Sequence, residues 1–478
     1  MQVSGECFPY SKTGGLADMV GALAKALAIK GAEVQVVTPL YRGIAEKFEG
    51  MELLDWELDL QMGDRIVSGK VWTLNPQPNL TVYFIDQADY FDRPGIYGEK
   101  SEDYPDNAER FLFFSKAAAN LARYLGNPPE IVHAHDWQAG MVPVMVQHQH
   151  LRGGWHPAPK TCFTIHNLAY QGNFPSSSFW YANLPSDYFG PHGVEFYDQL
   201  SFLKSGLIFA DQLTTVSPKY AQEILTDEFS CGLGGVLNAR AERLCGILNG
   251  VDYSDWNTTD NPNLDAHYSI SKMAGKTRQK KKLQASMGLP QDSKVPLMGL
   301  VGRLVDQKGM DLLLPALHAS LNRGFQFVLL GSGMPFYQEG FQRLAKDHPD
   351  QVAVTIGYDN ALAHKIEAAS DFFIMPSKFE PCGLNQLYSL KYGSVPIVRA
   401  VGGLDDSIVG LDESLEEATG IKFNDYAVTA LESALNQAVD LYEDQKKYKK
   451  IRKNGMLKDF SWERTSLEYM DLYDGMLQ

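Results

Sequence analysis

Runs of four to six apolar, largely β-branched residues alternate along this chain with longer stretches whose apolar positions recur every third or fourth residue. The runs predict strands at 33–38, 81–86, 131–134, 161–165 and 212–216 in the first half. In the second half they predict strands at 295–301, 325–330, 351–356, 372–375 and 395–398. Apolar on both faces, such runs suit parallel strands covered by helices on either side, and their alternation with helical periods predicts an α/β fold of doubly wound sheets. One stretch departs from this: 52–60 and 66–74 flank Met62-Gly63-Asp64-Arg65 and read as an antiparallel hairpin insertion. The strand ahead of "GECFPY" has at most four residues, which a shortened sheet edge or a misassigned start would explain.

A polar stretch, "TTDNPNLDAHYSISK", and a basic helix, "KTRQKKKLQASMG", separate "ILNGVDYSDWN" from "KVPLMGLVGR". The chain thereby reads as two similar α/β halves, 1–250 and 251–460, followed by a terminal segment of helical period, 461–478. The charge run 276–282 is either a phosphate-binding patch or the solvated face of a helix beside the linker, and the second is the ordinary origin of such a run.

At 478 residues the chain is too long for one core. Its net charge of −15 argues against nucleic acid as a partner, because a phosphate backbone wants a basic face. There is no apolar run of about 18 residues to span a membrane, and the opening residues lack the basic and apolar regions of a secretory signal. Cys7, Cys162, Cys231, Cys245 and Cys382 are scattered and never spaced C-x-x-C, which suits a reducing compartment better than a disulfide framework or a structural zinc site.

Ligands of doubly wound sheets bind outside the carboxyl ends of the strands. Strand 131–134 leads into His135, Asp136 and Trp137, 161–165 into His166 and Asn167, 212–216 into "SPKYA", and 247–248 into Asn249 of "NGVD". In the second half, 295–301 leads into "GRLVDQKG" with Arg303 and Lys308, 325–330 into "GSG", 372–375 into "PSKFEPCGLNQ" and 395–398 into "RAVGGL". Polar, charged and glycine residues thus gather at one end of both sheets, and those ends can face each other across a cleft.

Gly14-Gly15, Gly331-Ser332-Gly333 and Gly402-Gly403 each precede a helical stretch, where glycine lets amides approach an anion and a helix terminus adds partial positive charge. Each alone is equally a plain turn, and none is a full G-x-G-x-x-G, so a dinucleotide site is not indicated. Arg303 and Lys308 could converge on one diphosphate without a metal, although two basic residues also fit a surface turn. Pro381 suits the first turn of a helix running through Leu390, with the amides of Cys382, Gly383 and Leu384 pointing outward. Glu380 just ahead of them is a functional carboxylate or a helix cap. No H-E-x-x-H, G-x-S-x-G or P-loop is present.

The stretches "KTGGLADMVGALAKAL", "HAHDWQAG", "IHNLAYQG", "ILNGVD", "GRLVDQKG", "EPCGLNQLYSLKYGSVPIVR" and "FSWERTSLEYMDLY" occur in this order over essentially the whole chain. Together they resemble the bacterial glycogen synthase and plant starch synthase family. The resemblance implies a GT-B fold: two facing Rossmann-like domains with a deep interdomain cleft, the terminal helix crossing back to the first. It implies transfer of glucose from ADP-glucose to the non-reducing end of an α-1,4-glucan (glycogen, starch or a malto-oligosaccharide) with retention of configuration, and no metal, pyridoxal phosphate or other cofactor. By motif position, Lys12, Gly14 and Gly15 resemble the loop around the donor diphosphate, and Asp18 an aspartate facing the donor. Asp136 and His166 resemble residues lining the glucosyl and acceptor side, with Asn249 in the cleft wall and Trp137 and Tyr170 on the acceptor side. Gly302, Arg303 and Lys308 resemble the group that stabilises departing ADP. Glu380 resembles the glutamate that contacts the transferred glucose, held by Cys382, Gly383 and Leu384. Tyr358 is expected by the base, and Gly402 and Gly403 by the phosphates.

Within this resemblance Val401 replaces a usual threonine, which removes a hydroxyl near the phosphates. Tyr388 stands where many GT-B transferases carry a second glutamate, as is usual for this family. Tyr170, Phe174, Phe179, Trp180, Tyr181, Tyr188 and Phe189 either stack on glucose units or pack beneath a long loop. UDP-glucose as donor, a nucleotide-sugar epimerase, a phosphorylase with pyridoxal phosphate and a silent glucan-binding protein are the rival readings. The expected location is the cytoplasm of a bacterium, or the plastid stroma for a mature plant or algal enzyme.

Overall fold

The computed structural model describes residues 1–100 and 102–478. It divides into two compact units, the first comprising Met1–Val216, Ala221–Gly250 and Trp462–Gln478, the second Ser217–Tyr220 and Val251–Ser461. Among the described residues no helix is long and apolar enough to cross a membrane.

In the first unit β1 (Gln2–Ser4) is followed by α1 (Gly15–Ile29), β2 (Val34–Pro39), β3 (Glu52–Met62), β4 (Arg65–Gln77) and β5 (Leu80–Asp86). Next come α2 (Asn107–Tyr124), β6 (Ile131–His135), α3 (Val142–Gly153), β7 (Lys160–Ile165), α4 (Phe202–Phe209), β8 (Gln212–Thr215) and β9 (Leu244–Gly246). These strands form one sheet in the order β9-β8-β7-β6-β1-β2-β5-β4-β3. The three-residue β1 therefore lies at the sheet's centre, paired in parallel with β2 and β6. That corrects the expectation of a shortened edge: ladders on both sides hold a strand too short to hold itself. β3 and β4 form the expected hairpin across Gly63-Asp64, and β4 continues antiparallel onto β5, so the hairpin extends the sheet instead of standing apart from it.

α1 buries Leu16, Met19, Val20, Leu23 and Leu27, the three-to-four spacing that marks one apolar helix face. The C-terminal helix, Trp462–Leu477, packs on α1 and buries Trp462 and Tyr469 within this first unit.

The second unit opens with α5 (Ala274–Ser286) and continues through β10 (Leu297–Leu304), α6 (Met310–Ser320), β11 (Gln326–Gly333), α7 (Pro335–Asp347) and β12 (Val352–Ile356). α8 (Asn360–Ala369), β13 (Phe372–Met375), α9 (Asn385–Tyr392), β14 (Val395–Arg399) and β15 (Ile421–Phe423) follow. The sheet is parallel throughout, in the order β12-β11-β10-β13-β14-β15. Its doubly covered nature is visible in β11, where Phe327 and Leu329 enter one core cluster while Val328 and Leu330 enter another on the opposite face.

Two expectations are corrected here. β11 runs through Gly331-Ser332-Gly333, so this segment is strand and not a turn ahead of a helix; a Cβ at Gly331 or Gly333 would meet the carbonyls of Gly302 or Leu304 on β10 at 2.1 or 2.3 Å. The charge run 276–282 is neither a phosphate patch nor a wholly solvated face. Lys276 and Lys280, one helical turn apart, are buried, and Lys276 donates to the carbonyls of Ala368 and Tyr392 and to Ser394 Oγ. Lys280 lies 2.6 Å from Asp371 and donates to the carbonyl of Val295. Burial lowers the Lys276 ammonium to about 7. These lysines fasten α5 to the unit's interior.

Candidate active site

In the first unit the loop between β1 and α1 places Lys12, Gly14 and Gly15 at the start of a 15-residue helix. Gly14 is extended (φ −157°), with nothing within 4 Å of where a Cβ would stand, so the first-turn amides open outward with their partial positive charge. Lys12 Nζ lies 2.8 Å from the Asp18 carboxylate, also in this first turn, so Asp18 orients the lysine. The loop is anchored from below by Glu6, which is 2% exposed. Its carboxylate accepts from Thr13 N–H, from Thr13 Oγ1 at 2.6 Å and from Tyr97 OH at 2.6 Å, and Gln138 donates to the same tyrosine oxygen at 2.7 Å. Sequence reading missed Glu6, Tyr97 and Gln138. The one available signal was a carboxylate directly behind the first strand, in "GECFPY".

Asp136 and His166 follow β6 and β7 as the strand ends predicted. Asp136 has φ +53° and ψ −175°, backbone that only glycine adopts without strain, and its Oδ1 accepts from His166 N–H at 2.7 Å. Burial pushes its carboxyl up to about 7, against the backbone hydrogen bonds of His166 and Asn167, which lower it. Burial lowers His166 to about 3, so its ring is neutral. Asn249 is 6% exposed, and its Oδ1 has no partner among the described residues. Trp137 packs against Phe111 at 5.0 Å and against Tyr97, Phe174 and Phe202, while a Cβ at Gly172 (φ +58°) would strike its ring. Of the aromatic set after "IHNLAYQG", Tyr170 and Trp180 present exposed rings; Phe174, Phe179, Tyr188 and Phe189 pack on other rings.

In the second unit the end of β10 and the loop beyond it carry Gly302, Arg303 and Lys308. Arg303 is exposed and donates to Gln307 Oε1 at 3.3 Å. Lys308 Nζ lies 2.5 Å from Glu380 Oε2, which also accepts from Ser377 Oγ at 3.0 Å. Glu380 is 5% exposed, so the carboxylate is held rigidly by one ammonium and one hydroxyl.

The loop around it departs from expectation. α9 begins at Asn385, because Gly383 takes φ +70° and interrupts the helical backbone, so Cys382, Gly383 and Leu384 lie in a loop and not in a first turn. Gly403 N–H donates to the carbonyls of Glu380 (3.1 Å) and Pro381 (3.2 Å), tying this glycine to the Glu380 loop. Cβ atoms at Gly402 and Gly403 would lie 2.0 Å from the carbonyls of Glu380 and Cys382, so the glycine pair clasps the Glu380 loop. Val401 is 3% exposed inside the core with Leu404 and Ile408, so the residue at this position packs in an apolar cluster. Tyr358 is 85% exposed on the loop beyond β12. Tyr388 lies flat on Trp256 (3.7 Å, 3°), whose other neighbour in the stack is His364 at 4.0 Å.

Each unit thus presents cationic groups for an anion together with buried polar acceptors suited to hydroxyls. Among the described residues no group of three or more His, Cys, Asp or Glu could hold a metal ion.

Residues 1–239 match the family model described as starch synthase catalytic domain, and 280–457 match that of glycosyl transferases group 1. The chain is 47% identical over 473 residues to a glycogen synthase of Anaeromyxobacter dehalogenans (strain 2CP-C), covering 98% of each. It is 43% identical to a glycogen synthase of Syntrophotalea carbinolica, covering 98% of this chain and 96% of that one. Among solved structures it is similar to the catalytic domain of starch synthase IV from Arabidopsis thaliana bound to ADP and acarbose, with a TM-score of 0.90 and 35% identity, covering 100% of this chain and 98% of that one.

Proposed function

The chain belongs to the glycogen synthase and starch synthase family and is a glucosyltransferase that lengthens an α-glucan, and we propose that it moves glucose from ADP-glucose to the non-reducing end of an α-1,4-glucan with retention of configuration. The observation that carries this reading is the buried Glu380 carboxylate fixed by Lys308 and Ser377, with Arg303 exposed on the same unit. A neutral sugar on a diphosphate needs acceptors for its hydroxyls and cations for its leaving group, and this set supplies both.

As the bond from the anomeric carbon to the diphosphate breaks and the bond to the acceptor oxygen forms on the same face, negative charge grows on the ADP oxygens. Lys308 and Arg303 meet that charge, and because it is largest in the transition state they act mainly on kcat. Two preorganised side-chain cations do this without a metal, and no step calls for pyridoxal phosphate. Glu380 accepts from hydroxyls of the transferred glucose. Lys12 and the first-turn amides of α1 take a phosphate oxygen, while Asp136, His166 and Asn249 meet sugar hydroxyls. The ADP and acarbose bound by the Arabidopsis starch synthase support an adenine donor and an α-glucan acceptor.

The test compares ADP-glucose with UDP-glucose on a glycogen primer, with and without a chelator. Faster transfer from ADP-glucose, unchanged by chelation, is expected. Preference for UDP-glucose would overturn the donor assignment, loss of activity on chelation the metal-free step, and no transfer from either donor the reading as a whole.

A further inference from the structure

Three histidines stand in one file through the first unit. His133 stacks on His135 (4.2 Å, 28°), and His135 Nδ1 lies 3.1 Å from His166 Nε2. The file does not end there. His135 Nε2 is 2.8 Å from Gln2 Oε1, Gln2 Nε2 donates to Tyr473 OH at 3.0 Å, and that hydroxyl is 2.7 Å from His133 Nδ1. His133 Nε2 is 2.5 Å from Thr164 Oγ1, which bonds Thr214 Oγ1. Gln2 is in β1, Tyr473 in the C-terminal helix, and His135 closes β6, so the chain of bonds ties three separated segments to the residue that follows β7.

Its direction follows from one side chain. A neutral imidazole has one N–H and one lone pair, so a bond at one nitrogen dictates the role of the other. The Gln2 amide places its oxygen on His135 and its NH2 on Tyr473. His135 Nε2–H therefore donates to Gln2, and His135 Nδ1 accepts. The partner of that acceptor is His166, which must carry its proton on Nε2 and keep Nδ1 as an acceptor. On the other branch Tyr473 OH, already accepting from Gln2, donates to His133 Nδ1, and His133 Nε2–H donates to Thr164. Turning the Gln2 amide over would reverse every bond in the chain. Burial keeps all three rings neutral, which is the condition for a directed chain.

We propose that His135, set by Gln2 and Tyr473, is a positioning residue that holds His166 in its Nε2–H tautomer, so that His166 meets the substrate as a hydrogen-bond acceptor and not as an acid. This rests on the reading of His166 as a substrate-facing residue. The closest physical parallel is the way an outer carboxylate or carbonyl fixes the tautomer of a histidine that does chemistry.

The test has one arm independent of turnover. In ¹⁵N-histidine-labelled protein, long-range ¹H–¹⁵N correlation should show a protonated Nε2 and an unprotonated Nδ1 at His166. A protonated Nδ1 there overturns the proposal. In the second arm His135→Phe keeps a ring in the file but removes the acceptor, and kcat should fall by roughly 10- to 100-fold, as when the partner that orients a reactive histidine is lost, with KM for ADP-glucose within about threefold. His135→Asn, whose side-chain oxygen can stand near the lost Nδ1, should recover most of that loss. Tyr473→Phe, in the C-terminal helix, should leave the Gln2 amide unfixed and give mixed tautomers at His166. A purely structural role would lower the melting temperature of these variants without changing the tautomer. His135→Phe with kcat within twofold of the parent, or an unmixed Nε2–H signal in Tyr473→Phe, would overturn the relay. If His166→Ala kept full activity, the substrate-facing role would fall instead, while the tautomer measurement would still judge the hydrogen-bonded chain.

Discussion

The Lys308 ammonium lies 2.5 Å from Glu380 Oε2, although the two residues are separated by 72 positions, and the carboxylate is 7% exposed against 24% for the lysine. The pair therefore presents one half-open cation beside a buried anion. Removing Lys308 takes away a charge from the leaving group and also leaves Glu380 buried without its counter-ion. Lys308→Ala should lower kcat by roughly 10²–10³, the scale of one lost transition-state donor. Glu380→Gln, which keeps shape and volume, should fold as the parent does yet be nearly inactive. Steady-state kinetics with ADP-glucose, alongside thermal unfolding, check both.

Asp136 links stability to pH. Its carboxyl rises from 3.8 to about 7 through burial, so the folded chain holds this proton more tightly than the unfolded one does. A raised acid contributes stability below its unfolded value and loses it as pH climbs through about 7. Over that range the loss amounts to about 4 kcal/mol at most. Asp136→Asn keeps an oxygen for His166 N–H but carries no such burden. Its melting temperature should exceed the parent's at pH 8, with the gap narrowing at pH 5; a gap independent of pH would contradict this. Activity should fall in the variant at both values.

Glu6 acts on the donor loop from beneath. With its bonds to Thr13 and Tyr97 gone, Glu6→Ala should leave Lys12 and Gly14 without a fixed base. Bonds to a charged acceptor contribute about 1.5–3 kcal/mol each, and Glu6→Ala removes those from Thr13 N–H, Thr13 Oγ1 and Tyr97 OH; with part of the cost of ordering the loop then falling on binding, ADP should bind roughly 10- to 100-fold more weakly. Calorimetric titration with ADP measures it.

Gly403 tests the clasp on the catalytic loop. A methyl group there would lie 2.0 Å from the Cys382 carbonyl, a backbone atom that cannot swing aside. Gly403→Ala should destabilise the second unit by about 1–3 kcal/mol and lower kcat by displacing Glu380. Val401→Thr, two residues away, buries an added hydroxyl in an apolar cluster and should cost about 1–3 kcal/mol without a gain in turnover. Differential scanning fluorimetry and kinetics separate the two variants.

The amino-acid sequence by itself determined where the strands lie and which residues follow their carboxyl ends, because a strand buried on both faces must be a continuous apolar run and the polar break that ends it is plain in one dimension. That is why Asp136, His166, Arg303, Lys308 and Glu380 could be named as candidates, and why the ordered motifs identified the family. Tertiary structure alone decided which distant groups meet. Glu6 beneath Thr13, Lys308 against Glu380, Gly403 on the Glu380 carbonyl and Tyr473 on Gln2 are encounters between segments with no shared local pattern. It also decided burial where composition misleads: Lys276 and Lys280 sit in a run of exposed-looking charge, yet carbonyls and Asp371 await them inside the unit. Local periodicity reports how an element faces the core, but the polar partner that lets a charge enter that core comes from elsewhere in the chain.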